Sequence, residues 1–151
     1  MNQQISIARY GLAYLYWAIS VALAFVALLV WSATAFIILG MTPWDRYAEH
    51  ALNQFGFLFM AIVMLSVIIF AEYYYRTGVD KGLVTKRFFF VAMIQILLIM
   101  AAHVIQWIGG IVLNFAVSPV SPFVIIIEIV IATILFLLYK RTVPGPPTLQ
   151  V

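Results

Sequence analysis

The sequence has no cysteine and very little charge. The missing thiols remove disulfides, thiolate metal ligands, iron–sulfur clusters and cysteine nucleophiles from consideration. Charged residues make up 9% of the chain, where a soluble domain carries about 25%. Also missing are a phosphate-binding glycine loop of the GxxxxGK[ST] type, an HExxH zinc helix, a GxSxG nucleophile elbow and any CxxC pair. No lipidation signal and no repeat of fixed period occurs. No motif ties the chain to a known family.

What the sequence does have is apolar surface. Of its 151 residues 66% are hydrophobic, and the mean hydropathy is +1.13. A water-soluble globule of this size has too little interior to hide that much. Soluble enzymes, nucleic-acid-binding domains and disordered linkers are therefore excluded. The chain belongs to the membrane class, with lipid as its first partner and no nucleic acid.

Long uncharged stretches set the spans. The chain is uncharged from Tyr10 to Trp44, which is too short for two crossings and a turn and too long for a signal-peptide core. It reads as one long helix, span one at 10–40, tilted or projecting beyond the bilayer. Thr42, Pro43 and Asp45 then read as a helix start, with Thr42 as N-cap, Pro43 at the first helical position and Asp45 near the positive end. Span two follows at 51–75, with Gly78 as its C-cap. A tight polar loop runs from Arg76 to Arg87. Ser118, Pro119, Ser121 and Pro122 interrupt the next uncharged stretch and divide it into span three at 88–115 and span four at 122–139. The tail, 140–151, contains Pro144, Gly145, Pro146 and Pro147 and is expected to be extended.

Charge sets the orientation. Arg9, Arg76, Lys81, Lys86, Arg87, Lys140 and Arg141 fall on one side, and Arg46 alone on the other. Basic residues collect on the cytoplasmic face. Short connections make neighbouring helices antiparallel. The expected fold is an all-α, single-domain, antiparallel up-down bundle of four transmembrane helices. Both termini are expected in the cytoplasm, and the expected location is a prokaryotic cytoplasmic (inner) membrane.

Few residues remain to carry chemistry. Glu128 is an acid about six residues, or about 9 Å, into span four. A charge at the centre of a span costs about 2.5–3.5 kcal/mol, so Glu128 should face protein or water, or carry a proton. On span three Gln95, Ile99, His103, Gln106, Gly110 and Asn114 share one sector of the helical wheel. That stripe must face other helices, because lipid offers no hydrogen bonds. Pairing spans three and four through a short loop sets Glu128 level with Gly109 and Gly110, within reach of Gln106 and less easily of His103. The expected binding group is therefore His103, Gln106 and Glu128. Gln95, Gly109, Gly110 and Asn114 are expected to serve as polar or close-approach packing positions. His103 has the chemistry to ligate a haem or chlorophyll or to contact a quinone. The alternative is a histidine satisfied within the protein, by Gln106 or a backbone carbonyl. The sequence requires no cofactor. No catalytic set and no metal site is expected, since Asp45, Glu49 and His50 suit a solvated helix start. Glu72 and Arg76 are spaced for a salt bridge.

Three functions fit. The first is an accessory or anchoring subunit of a larger membrane complex, energy-transducing complexes included. The second is a cofactor-bearing subunit using His103. The third is a proton- or cation-coupled transporter using Glu128. Thin polar content at membrane depth favours the first, with other membrane subunits as partners.

Overall fold

The computed structural model describes residues 2–40, 45–113 and 120–142. It is all-helical. The helices are α1 (Asn2–Gly40), α2 (Arg46–Val79), α3 (Val84–Val112) and α4 (Val120–Arg141). Each is long and apolar enough to cross a membrane. At 1.5 Å per residue the 39 residues of α1 measure about 58 Å, nearly twice a hydrocarbon core of about 30 Å.

Helix ends differ from expectation in four places, each for a local reason. α2 starts at Arg46 with Asp45 as its cap: the Ala48 amide donates to Asp45 Oδ1 at 2.7 Å. Thr42 and Pro43 lie outside the described residues. The polar loop shrinks to residues 80–83, so Arg76 and Arg87 are helical. Gly78 is not the C-cap but sits inside α2, and Gly82 takes the left-handed conformation, φ 63°. A Cβ on Gly78 would come within 2.9 Å of Arg87 Cδ, so the missing side chain is what admits Arg87. The Arg87 guanidinium donates to the Tyr74 carbonyl and to Thr77 Oγ1, and lies 4.4 Å from the Tyr74 ring centre. Arg87, in the first turn of α3, thus ties the turn to the last two turns of α2. Finally, α3 ends at Val112, and α4 begins at Val120. Pro122 falls in the first turn of α4, where a missing N–H breaks no helical bond.

Small residues make the tight contacts. Ala13, Ser20, Ala27 and Thr34 are all buried on α1 and recur every seventh residue. Small side chains bring helices close where no hydrophobic effect drives association. Against this seam lie Ala71, Tyr75 and Val79 of α2, and Gln95, Ile99 and Ala102 are buried on α3. Tyr16 stacks on Phe88 at 4.2 Å between centroids.

The expected four-helix bundle takes an open form. α1 packs against both α2 and α3, while α2 and α3 touch only lightly. Among the described residues α4 packs on α3 alone. Its buried residues are Glu128 and Ala132, one turn apart on a single face.

Candidate functional site

The site is built where that face of α4 meets α3. Glu128 is 7% exposed. His103 projects from α3 and places Nδ1 2.7 Å from Glu128 Oε1. The two side chains are close enough for an ion pair when His103 is protonated. The second carboxylate oxygen, Oε2, is buried and has no hydrogen-bond partner. The His103 side chain stays 24% exposed. With Nδ1 committed to the carboxylate, Nε2 is the ring nitrogen left for anything else.

The expected reach of Glu128 to Gln106 is corrected. Gln106 turns to α1, where its Nε2 donates to the Val30 carbonyl and to Thr34 Oγ1, both at 3.0 Å. His103 and Gln106 are three residues apart, hence about 60° apart around the helix. That angle sends one to α4 and the other to α1. The expected depth shifts as well. With α4 starting at Val120, Glu128 lies about 12 Å along its helix, which suits His103 rather than the glycines. Gly109 and Gly110 are buried in α3. Asn114 lies outside the described residues.

Gln95 also serves α1. Its Nε2 donates to the Ser20 carbonyl at 2.9 Å, while Oε1 is buried without a partner. Ser20 Oγ and Tyr75 OH are 2.7 Å apart, which ties α1 to α2. Sequence reasoning missed Ser20, Thr34 and Tyr75 as polar contacts. The seven-residue spacing of small residues on α1 is the signal that finds the first two. The indole N–H groups of Trp17 and Trp31 donate across helices to the Ile68 and Leu98 carbonyls, each at 3.2 Å.

The stripe on α3 therefore splits in two. Gln95 and Gln106 are structural hydrogen bonds to α1, each aimed at a carbonyl that already serves its own helix. The His103–Glu128 pair is different in kind, because both members are ionisable and they bond to each other rather than to backbone. Beside it an apolar groove of about 280 Å³ runs along the α3–α4 seam, lined by Met93, Met100, Ile129, Thr133 and Phe136 among others. Among the described residues no three His, Asp or Glu side chains come together. His50 meets Gln54 at 3.4 Å, and Glu72 and Arg76 border one crevice without an ion pair.

Chemically, the pair can hold a proton between imidazole and carboxylate, or orient Nε2 toward a ligand. Comparisons with protein-family models, with curated proteins and with solved structures find no match to this chain.

Proposed function

We propose that the chain is a small integral-membrane subunit of a larger membrane assembly, oriented with Arg9, the α2–α3 turn and Lys140 on the cytoplasmic side. The observation that carries this reading is the His103–Glu128 pair, still 24% exposed at its histidine, between α3 and α4, a helix that among the described residues packs on α3 alone. Exposed apolar side chains alone decide nothing, because lipid covers them. A titratable pair with an unmatched buried oxygen is another matter, since hydrocarbon offers neither water nor hydrogen bonds. A helix from another subunit, bringing a hydrogen-bonding partner for His103 Nε2, covers the exposed side of the pair and adds a second neighbour to α4.

A second reading has an observation of its own. Histidines that bind a metal or a metallated ring commonly hold their other nitrogen against a carboxylate. His103 has that arrangement, with Nε2 left over, and would then carry a haem, chlorophyll or quinone contact in the same assembly.

One experiment separates these readings. A tagged copy is extracted gently from its own membrane, its companions are identified, and an absorption spectrum is taken of the same sample. Co-purifying membrane subunits whose retention falls in Glu128→Ala support the first reading. A chromophore lost in His103→Ala supports the second. A colourless, companion-free protein contradicts both.

A further inference from the structure

The α3–α4 seam carries two cations at one end. The Lys140 ammonium lies 4.7 Å from the centre of the Phe136 ring, and the Lys86 ammonium 5.1 Å from that of Tyr139. The Tyr139 ring itself meets Phe90 across the seam, at 5.8 Å between centroids. Among the described residues neither lysine has a carboxylate partner. Lysines near the end of a span extend outward, so that the ammonium reaches water. Lys140 does the reverse. It is the penultimate residue of α4 and lies back over the ring four residues earlier, toward the middle of the span. An ammonium held over a ring face still has N–H groups to donate.

Phe136 has a second role. It lines one end of the apolar groove of about 280 Å³, with Ile129 and Thr133 from α4 and Met93, Leu97 and Met100 from α3. The groove follows seven residues of each helix, about 10 Å, or about two thirds of one leaflet's share of a 30 Å core. The Thr133 hydroxyl on its wall is already satisfied, since it donates to the Ile129 carbonyl at 2.8 Å. Methionine walls adapt to a flexible occupant. Met93, Leu97 and Met100 lie roughly 90° around α3 from His103, so the groove and the histidine occupy different sectors of that helix. An apolar helix laid in the groove would leave the two cations unmatched. A lipid with a net negative headgroup matches both features, with its chain between the helices and its phosphate at the rim.

We propose that the groove holds an acyl chain of an anionic phospholipid, whose phosphate is bound by Lys140 and Lys86. The site rests on the chain lying in a membrane, and not on the subunit reading or on the His103–Glu128 pair.

The test uses the full chain in nanodiscs of phosphatidylcholine and phosphatidylglycerol with the same acyl chains. Native mass spectrometry reads which lipid stays on the ejected protein. Phosphatidylglycerol should be retained in preference to phosphatidylcholine. Lys140→Gln and Lys86→Gln should each weaken that preference by about fivefold, the worth of one lysine at an anionic membrane surface. Thr133→Phe fills the groove from an exposed position with charge intact, and should also lower retention. Lys81→Gln removes the same charge from the α2–α3 turn and should change nothing. Equal retention of the two lipids overturns the proposal. So does an equal loss in Lys81→Gln, which would reduce the effect to general surface charge. Retention untouched by Thr133→Phe overturns it too, because the headgroup would then be held without the groove. A dimer that Thr133→Phe abolishes in lipid of either charge assigns the groove to a second copy of the chain, and likewise overturns it. If Thr133→Phe loses helix content by circular dichroism, the contrast between Lys140→Gln and Lys81→Gln still decides.

Discussion

Ser20→Ala should destabilise the protein more than Tyr75→Phe, although both remove the same 2.7 Å hydrogen bond. Ser20 and Tyr75 are 2% and 1% exposed, so neither hydroxyl can turn to water. What differs is the alternative each has once its partner is gone. A serine on a helix can bond back to the carbonyl four residues earlier. This protein uses that geometry elsewhere: Thr34 bonds to Val30 at 2.8 Å, and Ser66 to Ile62 at 2.9 Å. In Tyr75→Phe, Ser20 can do the same, and the cost should be near the average for one interhelical hydrogen bond in a membrane, about 0.6 kcal/mol. In Ser20→Ala the tyrosine hydroxyl is stranded, with a penalty of about 1–3 kcal/mol. Gln95 is unaffected in both, because it uses the Ser20 backbone carbonyl. The double variant should then cost about as much as Tyr75→Phe alone, since no stranded hydroxyl remains. Reversible unfolding in bicelles by titrated dodecyl sulfate, followed by tryptophan fluorescence, gives the three values. A Ser20→Ala cost at or below that of Tyr75→Phe, or strictly additive costs, would refute the reasoning.

Other outcomes follow from the same contacts. Glu128→Leu strands His103 and should cost about 3 kcal/mol, while His103→Leu/Glu128→Leu should recover most of it, read in the same unfolding assay. Gly82→Ala puts a side chain at φ 63° and should cost about 1–2 kcal/mol; a neutral result would show that the turn rearranges freely. Asp45→Ala removes the α2 cap and should cost about 1 kcal/mol, with fraying at Ala48 visible by hydrogen exchange. Because the chain has no cysteine, single cysteines at Lys81 and Asp45 report sidedness directly. The first should react only from the cytoplasmic side and the second only from the other.

The four spans were legible because charge is so scarce that each charged cluster marks a helix end. Helix boundaries were less so. Asp45 and Thr42 are both good caps by type, and only the backbone path chooses between them. Gly78 and Gly82 likewise compete for the turn, and the choice rests on whether Arg87 needs the room. The polar face of α3 was legible as a face that lipid cannot cover. How it divides was not, since a rotation of about 60° separates His103 from Gln106, and helix rotation depends on every neighbour at once. On α1, Ser20 and Thr34 looked incidental because each can satisfy itself within its helix. Their spacing with Ala13 and Ala27 carried the message that their polarity did not.

The central claim is that the α3–α4 seam is completed by another subunit at the His103–Glu128 pair. Native mass spectrometry of the protein, ejected from nanodiscs made directly from its own membrane, tests it most directly. The account predicts a particle heavier than the single 17.0 kDa chain, which releases that chain when Glu128 is replaced by alanine. A 17.0 kDa monomer from the unaltered membrane, with α4 as firmly held as in any assembly, would contradict it.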